Sequence, residues 1–151
     1  MSLKVGDTIP HFQAKDANGD VFDSHSIIGI HPVVIYFYPK DETPGCTLQA
    51  CAFRDQYQDF KDMGAEVIGI SSDSETSHKR FIAKYQLPFI LLTDGDKKLK
   101  KLFGVPNALF GLIPGRVTYV ADVQGRIVMI FDSVNAVKHI PKAKEALKKL
   151  L

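Results

Sequence analysis

The sequence predicts an α/β fold in which helices flank a mixed central β-sheet. Buried-strand patterns alternate with helical patterns along much of the chain, and a hairpin signal and an amphipathic helical pattern follow them. The 151 residues are enough for one domain with a hydrophobic core and too few for two. We therefore expect a single domain that spans residues 1–151.

The first strand and helix carry the clearest pattern. Val33 to Tyr38 is a continuous β-branched and aromatic run, typical of a strand buried on both faces, and Pro39 ends it. A loop over Lys40 to Gly45 follows, and a helical pattern then runs from about Thr47 to Met63. Gly64 occupies the place of a glycine that terminates a helix.

The remaining patterns complete the order of elements. Strands are predicted over Glu66 to Ser71, Phe89 to Thr93, Arg116 to Ala121 and Arg126 to Phe131, and helices over Ser74 to Tyr85, Lys97 to Phe103 and Lys138 to Leu151. Asn18-Gly19 predicts a hairpin near the start, and Asp122 to Gly125 predicts another between the last two strands. This order matches a thioredoxin-like fold with an N-terminal β-hairpin extension.

The composition is that of an ordinary soluble globular protein, with 45% hydrophobic and 24% charged residues. The formal net charge of +2 is too small to indicate a nucleic-acid or membrane-surface partner. No apolar run approaches the roughly 20 residues of a membrane-spanning helix, and the first residues lack the features of a signal peptide. We therefore expect a cytoplasmic protein that binds neither nucleic acid nor membrane.

Cys46 and Cys51 are the only cysteines, and two nearby thiols in a reducing compartment indicate redox chemistry or metal binding. Their C-x4-C spacing is loose for a metal knuckle, and no histidine follows at a ligand-like interval. The five histidines are scattered singly and are interpreted as surface or capping residues: His11, His25, His31, His78 and His139. We expect no metal site.

Cys46 lies where the loop after the first buried strand meets the predicted helix. Unpaired backbone N–H groups and the helix dipole favour a negative charge there, and the thiolate is the reactive form of cysteine. An inert buried cysteine is the alternative, since free cysteine is often a small core residue. The preceding Gly45 and the polar loop favour an exposed, strained turn and a reactive thiol.

Cys51 follows five residues later on the same predicted helix. In ideal helix geometry the two Cα atoms are about 8.6 Å apart, whereas a disulfide tolerates at most about 7 Å. A bond between Cys46 and Cys51 would therefore require the first turns of the helix to unwind. The alternative is that Cys51 is only a core residue, and the pattern leaves both interpretations open.

Thr43 and Arg116 are the remaining candidates, and each has an ordinary alternative. Thr43 is either a turn or N-cap residue or a hydroxyl that hydrogen-bonds beside the thiolate. Arg116 is either a solvated surface group or a fixed cation directed at Cys46 from the end of a central strand.

The stretch from Phe37 to Cys51 resembles the active-site signature of peroxiredoxins, with Pro39, Thr43 and Cys46 in the spacing P-x3-[TS]-x2-C. The second cysteine, followed by Phe53-Arg54-Asp55, is similar to the bacterioferritin comigratory protein/peroxiredoxin Q branch. Two further stretches resemble that branch: Val5 to Pro10 with Phe12, and Phe110 to Asp122, which supplies the family's arginine as Arg116.

The resemblance implies a role for each candidate. Cys46 would be the peroxidatic cysteine and Cys51 the resolving one. Thr43 would hydrogen-bond the peroxide oxygen, Arg116 would stabilise the thiolate and the leaving oxygen, and Pro39 would shield the thiolate from water.

The resemblance also implies a catalytic cycle and partners. Hydrogen peroxide or an organic hydroperoxide would oxidise Cys46 to a sulfenic acid, Cys51 would form an intramolecular disulfide, and a thioredoxin-type protein would reduce it. No metal, haem, flavin or other cofactor is needed, and a monomer is expected. A thiol–disulfide oxidoreductase is the main rival, but it would carry C-x-x-C, and this chain has Gln49 there. A redox sensor or binding module is the second rival, and peroxide turnover with a thioredoxin system separates the three.

Overall fold

Nine strands and five α-helices make up the computed structural model, which describes residues 2–108 and 113–151. The strands are β1 (Gln13–Asp16), β2 (Val21–Asp23), β3 (Val33–Phe37), β4 (Glu66–Ser71), β5 (Ile90–Thr93), β6 (Asn107–Ala108), β7 (Ile113–Pro114), β8 (Val117–Ala121) and β9 (Ile127–Asp132). The helices are α1 (Pro44–Asp55), α2 (Tyr57–Asp62), α3 (Glu75–Tyr85), α4 (Lys98–Phe103) and α5 (His139–Lys148), with 3-10 turns at Ser24–Ser26 and Ala136–Lys138. Phe110 to Leu112, part of the stretch that resembles peroxiredoxin Q, lie outside the described residues.

Seven strands form one mixed sheet in the order β2-β1-β5-β4-β3-β8-β9, and β6 pairs with β7 separately. The pairs β3–β4 and β4–β5 are parallel, whereas β3–β8 and β8–β9 are antiparallel. The predicted N-terminal hairpin is present, and β1 also pairs antiparallel with β5, so the hairpin widens the central sheet. The prediction of a mixed α/β fold is confirmed.

The central strand β3 is buried on both faces, as predicted, and its side chains alternate between two cores. Val34 and Tyr36 face a core formed with α1, α2, α3 and α5. Val33, Ile35 and Phe37 face a second core, to which α4 contributes. A fully buried side chain of this size contributes about 1.5–3 kcal/mol, so β3 is fixed from both sides. Its carboxyl end, where the loop to α1 begins, is a rigid support.

The predicted helix from Thr47 to Met63 differs from the structure in two respects. It begins three residues earlier, at Pro44, because the fixed φ of proline suits the first helical position. It is also divided at Gln56, whose φ of −109° and ψ of 11° interrupt the helix. Phe53 and Phe60 both reach the core across this break, so the apolar periodicity persists and gives no sign of it.

The other boundaries agree with the predicted ones to within a few residues. The largest difference is at the C-terminus, where α5 ends at Lys148 and Leu151 is exposed beyond it. Gly64 has a φ of +78° after α2, which confirms the predicted terminating glycine. Within the described residues, no helix has both the length and the apolar character needed to cross a membrane.

Candidate active site

Cys46 lies in the first turn of α1 and is only 1% exposed. The prediction of an exposed, strained turn at this residue is therefore wrong. The sulfur belongs to a regular helical turn that packs against the sheet, and the left-handed backbone lies four residues earlier, at Glu42, with a φ of 61°. The site is a buried thiol that the helix start holds in place.

Arg116 directly precedes β8 and is itself only 9% exposed. Its Nη2 donates to the Sγ of Cys46 at 3.5 Å, so the alternative of a solvated surface arginine is excluded. A Cβ atom on Gly45 would lie 3.1 Å from Nη2, tighter than ordinary contacts. Glycine before the cysteine therefore leaves room for the guanidinium, and this packing explains the Gly-Cys sequence without backbone strain.

Gln49 completes this arrangement and is not among the site residues predicted from the sequence. It is fully buried, and its Oε1 accepts a hydrogen bond from Nη1 of Arg116 at 2.5 Å. Among the described residues, no carboxylate lies within 4.0 Å of this guanidinium, so Gln49 orients the cation without neutralising it. The sequence feature that could have identified Gln49 is its position three residues after Cys46, because the two side chains then share one helix face.

Thr43 is the N-cap residue of α1, as one of its two interpretations predicted, but its side chain does not cap the helix. Its hydroxyl donates instead to the carbonyl oxygen of Lys40 at 2.9 Å. With its proton used in the loop, the oxygen retains lone pairs that accept a hydrogen bond from another group. Pro39 is half-buried at the end of β3, at the start of the same loop.

Cys51 lies on the same uninterrupted helix as Cys46, and both thiols are free. An intact helix separates the two residues beyond disulfide reach, as its dimensions predict. Cys51 is half-buried, whereas Cys46 is buried. Its partial exposure is less consistent with a purely core role.

A buried network ties the loop before α1 to helix α3. Asp41 is 5% exposed, and its carboxylate accepts hydrogen bonds from Tyr38 Oη at 2.6 Å and Ser77 Oγ at 2.9 Å. Its backbone N–H donates to Oδ2 of Asp73 at 2.8 Å. Burial first, and then the nearby charges of Tyr36 and Asp41, raise the pKa of Tyr38 well above 10, so its hydroxyl remains a donor.

His78 is the fourth member of this network and is completely buried. Its Nδ1 lies 2.7 Å from Oδ2 of Asp41, and its Nε2 lies 3.0 Å from the carbonyl oxygen of Leu92. The carbonyl oxygen of Leu92 can only accept, so Nε2 donates to it, and Nδ1 shares a hydrogen bond with the Asp41 carboxyl group in a buried histidine–aspartate pair. The expectation that His78 is a surface or capping residue is wrong.

His139 is the second buried histidine among the described residues, and the same expectation is wrong for it. Its Nε2 donates to the carbonyl oxygen of Ser133 at 2.8 Å, and Nδ1 accepts from Thr118 Oγ1 at 2.7 Å. Burial lowers the pKa of His139 to about 4, and the charge of Arg116 adds to the effect. His139 is therefore neutral at pH 7.

Comparison with known families gives a consistent assignment. The family model described as "AhpC/TSA family" matches residues 5–130. Peroxiredoxin Q, chloroplastic, from Sedum lineare is 51% identical over 146 residues, which are 96% of this chain and 78% of that protein. The protein of the same name from Arabidopsis thaliana is 51% identical over 147 residues, 97% of this chain and 68% of that one.

Solved structures agree in fold. The crystal structure of peroxidoxin BcpB from Mycobacterium tuberculosis is 31% identical, covers 99% of both chains and has a TM-score of 0.90. Peroxiredoxin Q from Xanthomonas campestris is 33% identical, with 91% of this chain and 90% of that chain covered and a TM-score of 0.83. These matches confirm the predicted thioredoxin-like fold. The names of the plant relatives place those proteins in the chloroplast, and the cytoplasmic location of this chain stays a prediction.

Proposed function

The chain belongs to the AhpC/TSA family and to its peroxiredoxin Q branch, so it is a thiol peroxidase, and from this premise we propose that Cys46 is its peroxidatic cysteine and Cys51 its resolving cysteine. The observation that carries the proposal is the buried guanidinium of Arg116, whose Nη2 lies 3.5 Å from the Cys46 sulfur. An unpaired buried cation stabilises an anion beside it, and the thiolate is the nucleophile.

The first step is the oxidation of Cys46. Its thiolate attacks one oxygen of a hydroperoxide, the O–O bond breaks, and the leaving alkoxide or hydroxide takes up a proton, which leaves a sulfenic acid on Cys46. Arg116 stabilises both the thiolate and the charge that develops on the leaving oxygen. The lone pairs of Thr43 Oγ1 accept the hydroperoxide O–H, and Pro39 shields the sulfur from water. Hydrogen peroxide and organic hydroperoxides are the proposed substrates.

The second step requires α1 to unwind. The Cys51 sulfur attacks the sulfur of the Cys46 sulfenic acid and displaces hydroxide, and an S–S bond forms. The hydroxide combines with the Cys51 proton and leaves as water. No side-chain hydrogen bond from Thr43 caps α1, so its first turn lacks one common stabilising contact. The loop before it is tied to α3 through Asp41, and we propose that unwinding is confined to residues from Pro44 to about Phe53.

Hydrogen exchange of the reduced and disulfide forms tests this step. We expect α1 to lose amide protection on oxidation while β3 and β4 keep theirs, because only the helix must change to bring the sulfurs together. Equal protection of α1 in both forms, or a disulfide from Cys46 to a second chain, would contradict the intramolecular model.

The third step is reduction by a dithiol protein of the thioredoxin type, whose two thiols are oxidised as the Cys46–Cys51 disulfide is reduced. The recycling protein is proposed on the family resemblance, as are the monomeric state and the cytoplasmic location. Gel filtration of the reduced protein and fractionation of the source cells test the last two.

Turnover of hydrogen peroxide with thioredoxin, thioredoxin reductase and NADPH tests the whole proposal. Cys46→Ser should abolish turnover, while Cys51→Ser should consume about one equivalent of peroxide and stop as a sulfenic acid that over-oxidises with excess peroxide. The two variants are matched in chemistry and share one helix, so each controls for the fold of the other. Retained turnover in Cys46→Ser would reject the proposal.

A further inference from the structure

Two histidines that the sequence separates by fourteen positions meet at the edge of the N-terminal hairpin. His11 precedes β1, Asp23 ends β2, and His25 lies in the 3-10 turn that follows. The two imidazole rings stack with centroids 4.0 Å apart and an angle of 21° between their planes. Nε2 of His11 lies 2.9 Å from Oδ1 and 3.0 Å from Oδ2 of Asp23. The expectation of singly scattered histidines is wrong for this pair.

The carboxylate of Asp23 is oriented by groups around it. Gln13 Nε2 donates to Oδ2 at 2.9 Å, and the backbone N–H of His25 donates to Oδ1 at 2.8 Å. These hydrogen bonds, that of Gln13 foremost and that of His11 next, hold the pKa of the carboxyl well below its usual range. Asp23 is therefore an ionised and positioned ligand at any pH near neutrality.

We propose that His11, Asp23 and His25 form a binding site for a divalent transition metal of the zinc, nickel and copper class. Their ligand atoms lie within 4.8 Å of one another. Two ligands that are each about 2.1 Å from a tetrahedral ion are about 3.4 Å from each other, so His11 Nε2 and Asp23 Oδ1, which lie 2.9 Å apart, need to separate by about 0.5 Å to admit one.

The ion takes the position of the proton between His11 and Asp23. Nε2 of His11 releases that proton and coordinates through its lone pair, so binding becomes weaker as pH falls. The nearly parallel stacked rings must rotate before nitrogens of both can face one ion, and the short exposed turn that carries His25 allows this movement.

The ligand chemistry selects the class of ion. Imidazole nitrogens suit zinc, copper and nickel, whereas magnesium and calcium prefer sites made of oxygen ligands. Three protein ligands leave further positions for water or an anion. Asp96, Lys98 and Lys101 line the same surface depression as His11, so charges of both signs lie beside the site.

A second group of potential ligands, Asp41, Asp73 and His78, is also close together in the described part of the chain. Its atoms are already engaged with one another and with Tyr38 and Ser77, and both ring nitrogens of His78 are hydrogen-bonded. The hairpin group is exposed and has lone pairs that become available on deprotonation, so it is the one that accommodates an ion.

Calorimetric titration with zinc chloride tests the proposal, in an untagged Cys46→Ser/Cys51→Ser background that removes competing thiols. We expect one ion per chain, and a loss of affinity of about tenfold or more in both His11→Ala and His25→Ala. His31→Ala removes another exposed histidine and should bind zinc as the background does. Absence of saturable binding, or unchanged affinity in both hairpin variants, would overturn the proposal.

Nickel titration of the otherwise unaltered reduced protein, followed by NMR of the histidine rings, provides a second measurement. Paramagnetic broadening should affect the signals of His11 and His25 at the lowest nickel concentrations, before those of His31, His78 and His139. Simultaneous broadening of all five, or first broadening at His31, would contradict the site. Circular dichroism of the two alanine variants verifies that they fold.

Discussion

His78 and His139 are both buried, but the first lies against a carboxylate and the second near a guanidinium. On the α3 side, His78 is hydrogen-bonded to Asp41, and the pair holds the loop before α1. On the β8 side, Arg116 has no carboxylate partner among the described residues, and His139 stays neutral beside it. The histidine–aspartate pair therefore fixes the loop, while the unpaired guanidinium remains available to Cys46.

The paired side should show the largest effect on stability. His78→Leu leaves the buried Asp41 carboxyl group without its histidine partner, and we expect a loss of about 3–5 kcal/mol in the free energy of unfolding. Urea titration followed by far-ultraviolet circular dichroism measures this loss.

A double variant separates lost charge pairing from lost packing. Asp41→Asn with His78→Leu removes the charge and keeps an oxygen that accepts from Tyr38, so it should be more stable than His78→Leu alone. If the double variant is equally or less stable than His78→Leu, His78 stabilises the protein through packing and not through its pairing with Asp41.

The β8 side, where His139 lies near Arg116, should show its effect as a pH dependence of the free energy of unfolding. His139 has a pKa of about 4 in the folded protein and about 6.5 when unfolded, so the unfolded state binds more protons between these values. The stabilisation is complete above about pH 6.5 and is lost as pH falls toward 4, by at most about 3 kcal/mol. Unfolding free energies across this range measure it, and His139→Leu should flatten the slope. If His139→Leu keeps the pH slope of the parent protein, groups other than His139 cause the loss of stability in acid.

Removing the unpaired cation should slow the peroxide step by about 100-fold, since the loss of one donor to a developing anion typically costs 10²–10³. Arg116→Met keeps the length of the side chain and removes its charge. Because the chain has no tryptophan, competition against a peroxidase of known rate is the suitable assay for Cys46 oxidation. Arg126→Met, at an exposed arginine, is the matched control and should react at the parental rate. Equal rates in both variants would remove Arg116 from the mechanism.

The fold and the central chemistry could be predicted from local patterns. Val33 to Phe37 is apolar at every position because both faces of β3 are covered. An unbroken apolar run is the sequence pattern that predicts such a strand. The geometry of Cys46 and Cys51 follows from helix dimensions alone. Arg116 could be identified as a candidate, but only the structure distinguishes a buried cation from a surface one.

The two histidine environments could not be predicted, because they depend on contacts between distant parts of the chain. His78 meets Asp41 across 37 positions, and His139 meets Thr118 across 21. A single histidine gives no periodic signal, so its most common interpretation is a surface residue. The same reason applies to Gln49, whose partner Arg116 is 67 positions away.

Gln49 gives the finest test of the unpaired side, because it orients Arg116 without altering its charge. Gln49→Leu removes the acceptor of Nη1, and we expect the rate of Cys46 oxidation to fall by about tenfold, or about 1.4 kcal/mol, less than in Arg116→Met. The effect is smaller because the cation remains near the sulfur but samples more orientations. Disulfide formation should not slow, since the substitution also removes a contact that α1 must break to unwind. Rapid-quench mass spectrometry resolves the two steps, with Gln58→Leu on the exposed surface of α2 as control. A Gln49→Leu variant that oxidises at the parental rate, or that slows both steps equally, would show that Arg116 is positioned by other contacts.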